Sequence, residues 1–318
     1  MTEINPEALS KQTWDVLIVG GGTAGLGAAL YAARYNLKTL VIAKVYGGTG
    51  NEAHLVDNWM GDPGITGMDL MKKYINHVKK LEVPLVEGTV DATKKEGNEF
   101  TTTATVGGTQ HTFKSKTIIL CSGMKHNHLG VPGEEEFAKK GVSYCYTCDA
   151  AFYKDLTAGV VGGSDSAAQA ALLLSEYAKK VYVFYRKDKL RAEPITTEKV
   201  YADPKIEVQH NVNVTEITGE KMVNGVKLDN GEDVKLDGIF IQIGAKPDPA
   251  LANMLGVKLD DQQFIAVDRE SRTNVEGVYA AGDMTNGTTL KQFITSAADG
   301  SKAAQQAYLY LQKNQSNK

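Results

Sequence analysis

Nowhere in this 318-residue sequence do about 18 apolar residues stand together, so no membrane-spanning helix is expected. The opening segment from Met1 to Asp15 lacks the basic start and apolar core of an export signal. Cysteine is scarce as well. Three cysteines build no disulfide framework, and Cys145 and Cys148 lie too close to staple distant segments, so a reducing compartment, the cytoplasm, is expected. Charge of one sign is also missing: 35 Lys and Arg against 38 Asp and Glu leave a net charge of −3. With no basic stripe to neutralise phosphates, nucleic acid is excluded as a partner. What is present is ordinary for a globular protein, 42 % hydrophobic and 23 % charged residues, and the length predicts two domains.

The apolar run Val16 to Val19 ends in Gly20-Gly21-Gly22-Thr23-Ala24-Gly25 and is followed by an alanine-rich stretch to Tyr35 without helix breakers. That is the grammar of strand, glycine turn and helix. Thr39 to Ile42 then reads as a second buried strand, closing a βαβ unit. The same grammar returns mid-chain: Gly159 to Val161, the turn Gly162-Gly163-Ser164-Asp165-Ser166-Ala167, a helix to Tyr177 and a strand from Val181 to Tyr185. Between the units, Phe100 to Val106, Thr112 to Phe113 and Thr117 to Leu120 read as strands of the first sheet. After the second unit, strands at 206–208, 212–217 and 238–243 lead to the break Gly244-Ala245-Lys246-Pro247. The predicted fold is α/β, with two Rossmann-like dinucleotide-binding domains, residues 126–247 being inserted into a discontinuous first domain of residues 1–125 and 248–318.

A glycine turn entering a helix offers backbone N–H donors and the positive end of a helix dipole to a pyrophosphate. Gly20, Gly22 and Gly25 satisfy G-x-G-x-x-G in full, whereas Ala43 and Lys44 stand where an acidic residue holds a ribose in many such folds, leaving the dinucleotide undecided. In the second turn Ser164 replaces the glycine that lets the cofactor approach closely. Arg186, Lys187 and Arg191 follow at the end of the next strand, where cations meet the 2′-phosphate of NADP. A tight turn without a ligand, or a solvated basic loop, are the plainer alternatives. Near the C-terminus a strand stops at Gly282-Asp283, and Lys291 to Ala297 open a long alanine-rich helix. A carboxylate and a helix N-terminus there suit a ribityl chain and the electron-rich edge of a flavin.

Cys145-Tyr146-Thr147-Cys148 has the spacing of a reversible disulfide. Half a zinc site is the structural alternative, but no second C-x-x-C or C-x-x-H completes four ligands. Asp149 follows, as an acid-base group or as a helix cap. Cys121 ends an apolar strand and reads as an inert core thiol, and His126 and His128 read as exposed linker residues.

These signatures, together with Asn58-Trp59-Met60-Gly61, Leu129-Gly130-Val131-Pro132-Gly133-Glu134 and Ala280-Ala281-Gly282-Asp283, resemble in their order the low-molecular-weight thioredoxin reductases over nearly the whole chain. The resemblance implies an FAD domain, an inserted pyridine-nucleotide domain carrying the cysteine pair, a homodimer, and a swing of one domain against the other. It implies that Cys148 lies beside the flavin, that Cys145 attacks the disulfide of thioredoxin or a thioredoxin-like partner, and that Asp149 is the acid-base residue. FAD contacts are implied for Gly20, Gly22, Thr23, Ala24, Gly25, Asn58, Gly123, Gly282, Asp283, Lys291, Gln292 and Phe293. NADPH contacts are implied for Gly162, Ser164, Asp165, Ser166, Arg186, Lys187 and Arg191. The sequence departs from the family at Ser164 and at Tyr185-Arg186-Lys187, where a His-Arg-Arg run is usual, while Arg191 keeps its place. Relatives that take electrons from ferredoxin or another donor make such a donor the alternative to NADPH. The reductase of a peroxidase system and a flavin redox sensor without turnover are the rival readings.

Overall fold

Strand β1 (Thr13–Gly21) is apolar on both faces because both are covered. The computed structural model describes residues 5–316 and opens with a short helix, α1 (Pro6–Ser10), ahead of that strand. From β1 the chain runs through α2 (Thr23–Arg34), β2 (Thr39–Tyr46), α3 (Gly67–Lys79), β3 (Leu85–Glu87), β4 (Thr89–Glu96), β5 (Glu99–Val106) and β6 (Thr109–Leu120). Strand β7 (Met124–His126) leads to β8 (Val142–Ser143), α4 (Tyr146–Asp149), β9 (Thr157–Val161), α5 (Asp165–Tyr177), β10 (Lys180–Tyr185), α6 (Pro194–Ala202) and β11 (Ile206–His210). Then come β12 (Val214–Gly219), β13 (Val223–Leu228), β14 (Asp233–Lys235), β15 (Gly238–Ile241), β16 (Ala245–Pro247), α7 (Ala250–Met254), β17 (Val278–Ala280) and α8 (Phe293–Ser316).

The chain divides into two compact units, one ending at Lys125 and resuming at Lys246, the other spanning His126–Ala245. The first is built on a seven-stranded sheet ordered β3-β2-β1-β6-β5-β4, with β17 beside β6. Leu17, Val19, Leu40, Ile42, Ile118 and Leu120 project to one face, against Phe100, Phe113 and Ile265. Val16, Ile18, Val41 and Ile119 project to the other, against the alanines of α2 and α8. Thr112–Phe113 and Thr117–Leu120 are one strand, not two. The first half of β6 pairs antiparallel with β5 and the second half parallel with β17, so the burial pattern changes along a single strand. The second unit repeats the design with a five-stranded parallel sheet, β11-β10-β9-β15-β8, and adds the antiparallel β12-β13-β14. Among the described residues no helix is long and apolar enough to cross a membrane.

Candidate active site

In the first unit the turn between β1 and α2 bends at Gly20, whose φ of +114° suits only glycine and whose Cβ would lie 2.1 Å from the Cys121 carbonyl oxygen. A Cβ on Gly25 would lie 1.9 Å from Gly20 O, so that glycine closes the turn against the helix. Gly22 differs from both. Its φ of −78° is open to any residue, and a Cβ there would meet only Gly47 O, at 3.9 Å. The space in front of it is the mouth of a cleft of about 590 Å³, lined by Gly20, Gly22, Thr23, Ala24, Gly123, Gly282, Asp283, Lys291, Gln292 and Phe293. Gly22 caps α2 without a side chain and no acidic residue enters the first turn, which leaves the helix N–H groups to an anion.

Asp283 is pushed above the ordinary carboxylate range by burial, partly offset by Ser296, whose hydroxyl donates to Oδ1 at 2.8 Å, and by Lys291. Burial lowers the Lys291 pKa, and its ammonium donates to Thr285 O at 2.5 Å over the Phe264 ring. Asn58 lies outside the cleft lining and donates to Gln292 Oε1 at 3.2 Å. The glycine cradle, the uncapped helix start, the carboxylate and the ammonium fit the phosphates and hydroxyls of a dinucleotide. Sequence reasoning missed the loop Gly47–Gly50, which lines the same cleft and is tied to the turn by Gly47 N–H donating to Gly21 O at 2.8 Å. Its signal was the Gly47-Gly48-Thr49-Gly50 cluster directly after β2. Cys121 is buried beneath the turn, and burial raises its thiol pKa far above the ordinary range, so it stays protonated and inert.

In the second unit Cys145 and Cys148 form a disulfide across the start of α4, Cys148 exposed and Cys145 half-buried. The strand end before it is pinned residue by residue. Cys145 N–H donates to Ser143 Oγ at 3.1 Å, Gln242 Nε2 donates to Tyr144 O at 2.9 Å, and the Tyr144 hydroxyl donates to Glu134 Oε1 at 2.6 Å. His128, the expected linker residue, holds its Nδ1 2.9 Å from the same hydroxyl. Burial raises the Glu134 pKa, but Tyr144 and the N–H groups of Leu129 and Gly130 outweigh it, and the carboxyl lies below the ordinary range. The Asp149 carboxylate makes no capping bond.

The second glycine turn superposes on the first in its logic. Gly162 has φ +144°, with a Cβ position 2.1 Å from Gln242 O. Ser164 caps α5 with φ −99° and ψ −174°, close to the φ −78° and ψ −168° of Gly22, so serine introduces bulk but no backbone strain. Its hydroxyl caps no helix N–H and lies 3.4 Å from Ser166 Oγ. Asp165 Oδ1 accepts from Glu193 N–H at 2.7 Å, and Gly163 O from Arg191 N–H at 2.6 Å. The loop bearing Arg186, Lys187 and Arg191 thus folds back onto the turn, its three cations exposed and without a salt bridge among the described residues.

Residues 14–307 match the family model for pyridine nucleotide-disulphide oxidoreductases. The chain belongs to that family, on its thioredoxin reductase branch. It is 39 % identical over 313 residues to the thioredoxin reductase of Listeria monocytogenes, covering 96 % of each chain. Among solved structures it is similar to the thioredoxin reductase of Lactococcus lactis, with 34 % identity, TM-score 0.89, and 94 % of this chain and 99 % of that one covered. The thioredoxin reductase of T. acidophilum gives 37 % identity and TM-score 0.86, with 93 % and 98 % covered. A flavin-dependent oxidoreductase built on two dinucleotide-binding units accounts for the cleft, the second turn and the disulfide together.

Proposed function

We propose that the protein is a thioredoxin-disulfide reductase in which electrons pass from NADPH to FAD, to the Cys145–Cys148 disulfide and on to thioredoxin or a thioredoxin-like protein. The observation that carries this reading is the disulfide itself, set between a pinned strand end and a second dinucleotide turn. The cleft would hold FAD, which when bound would supply the two-electron reduction of that disulfide. Gly22 and the first turn of α2 would hold its pyrophosphate, Asp283 would accept from a ribityl hydroxyl, and Lys291 would meet its electron-rich edge. In the dithiol state the Cys145 thiolate attacks the substrate disulfide, forming a mixed disulfide and releasing one substrate thiolate. Cys148 then attacks Cys145 Sγ, which re-forms the internal bond and releases the second substrate thiol. Asp149 takes up and returns the proton at the cysteine sulfurs. The homodimer and the cytoplasmic setting belong to the same reading.

NADPH is the proposed donor because Ser164 keeps the backbone form of the first glycine turn and the loop of exposed cations Arg186, Lys187 and Arg191 folds back onto it. A second reading, the same dithiol chemistry with a donor such as ferredoxin, draws on the bulk that Ser164 places at the point of closest approach. Anaerobic titration of the FAD-loaded protein, followed at the visible flavin band, separates them. Rapid bleaching by NADPH, and slower bleaching by NADH, is the expected result. Bleaching by dithionite or reduced ferredoxin alone would leave the second turn as a carrier of the cysteines and overturn NADPH as donor.

A further inference from the structure

The loop that carries Arg186, Lys187 and Arg191 is tied down at both ends. At its far end Arg191 N–H donates to Gly163 O at 2.6 Å and Glu193 N–H to Asp165 Oδ1 at 2.7 Å. At its near end Lys187 O accepts from Asn211 N–H at 3.4 Å and lies 3.0 Å from His210 Nδ1. A carbonyl oxygen only accepts, so Nδ1 bears the proton. Nε2 lies 2.9 Å from the Tyr201 hydroxyl, which in the neutral ring donates to its lone pair. One imidazole therefore joins α6, the end of β11 and the start of the cation loop. Tyr185, the last residue of β10, pairs with His210 across the parallel strands, so the ring stands where the chain leaves the sheet to enter the loop.

We propose that His210 is a positioning residue for recognition of the 2′-phosphate of the nucleotide donor, acting through the Lys187 carbonyl and touching no ligand itself. The inference rests on the reading of the second turn as the NADPH site. Exposed Arg and Lys heads discriminate a phosphate only when the backbone beneath them is fixed, since otherwise binding must also order the loop. The long Asn211 N–H bond is a weak tether, and the well-placed Nδ1–H, 3.0 Å from the Lys187 carbonyl oxygen, is the stronger one.

The test is isothermal titration of the FAD-loaded protein with 2′,5′-ADP and, separately, 5′-AMP, which lacks the 2′-phosphate. His210→Ala is expected to weaken 2′,5′-ADP binding about five- to tenfold and to leave 5′-AMP binding unchanged. His210→Asn, whose amide nitrogen reaches the Nδ1 position, is expected to restore 2′,5′-ADP binding. In turnover His210→Ala should raise KM for NADPH by the same factor with kcat held. Equal loss of both ligands, or unchanged 2′,5′-ADP binding in a protein that still prefers it to 5′-AMP, overturns the role of His210 alone. A wild-type protein with no preference for 2′,5′-ADP overturns the donor reading and this inference with it.

Discussion

Glu134 opens a run of three glutamates, and its neighbours Glu135 and Glu136 are exposed while it is buried. What separates them is hydrogen bonding: the Glu134 carboxylate takes bonds from Tyr144, Leu129 and Gly130, fixing the residue next to Cys145. Since its folded pKa lies below the ordinary value of 4.5, the unfolded chain binds the proton first as pH falls. Its stabilisation is therefore complete above that value and is lost as pH drops through the lowered one. Glu134→Gln should destabilise the protein by about 2 kcal/mol near neutral pH. The gap between the two proteins in urea midpoint should narrow below about pH 4; a gap that stays constant would show that the charge is irrelevant. The cysteines give the second prediction at this scale. If Cys145 attacks the substrate, Cys148→Ser should lose turnover, keep FAD, and accumulate a mixed disulfide with thioredoxin that non-reducing electrophoresis detects. Cys145→Ser should accumulate none, and the opposite pattern would exchange the two roles.

Helices α2 and α8 cross at Gly300, where a Cβ would lie 2.0 Å from the Ala24 carbonyl oxygen. Gly300→Ala gains about 1 kcal/mol of helix propensity, but the overpacking costs about 1–3 kcal/mol or more. Because Ala24 lines the cleft, the helix start must shift with it. Lower stability together with weaker FAD retention, read by urea denaturation and flavin release, is expected; a more stable protein would show that the crossing opens freely. The α2 turn was legible in the sequence because its whole grammar is local, apolar run, glycines, alanines. The α5 turn was legible for the same reason, although Ser164 concealed how closely its backbone follows the first. Strand β6 was read in two pieces because its partners change midway, and partners are not written in a local pattern. Glu134, His210 and the Gly47–Gly50 loop were missed or undervalued on the same physical ground. Each takes its place from a bond that no hydrophobic period or motif spacing encodes, to Tyr144, Lys187 and Gly21 respectively.

At the scale of the molecule, each unit carries its own core. Leu17, Ile118 and Phe113 lie on one face of the first sheet and Val16, Ile119 and the alanines of α8 on the other. The second unit buries Val160, Leu174 and Val183 on one side and Phe184, Ile217 and Ile239 on the other. Cores that share no residues can melt separately, and a ligand stabilises only the unit whose folded state binds it. In the proposed function the cleft of the first unit takes FAD and the turn of the second takes the nucleotide donor. Scanning calorimetry is therefore expected to show two transitions. FAD at about a hundred times its Kd adds about 2.7 kcal/mol to one unit, a rise of roughly 5–10 °C for a domain of this size, and should leave the other transition in place. Adding 2′,5′-ADP should move the second transition and not the first. A single transition that both ligands raise together would overturn the independence of the two units and show that they unfold as one.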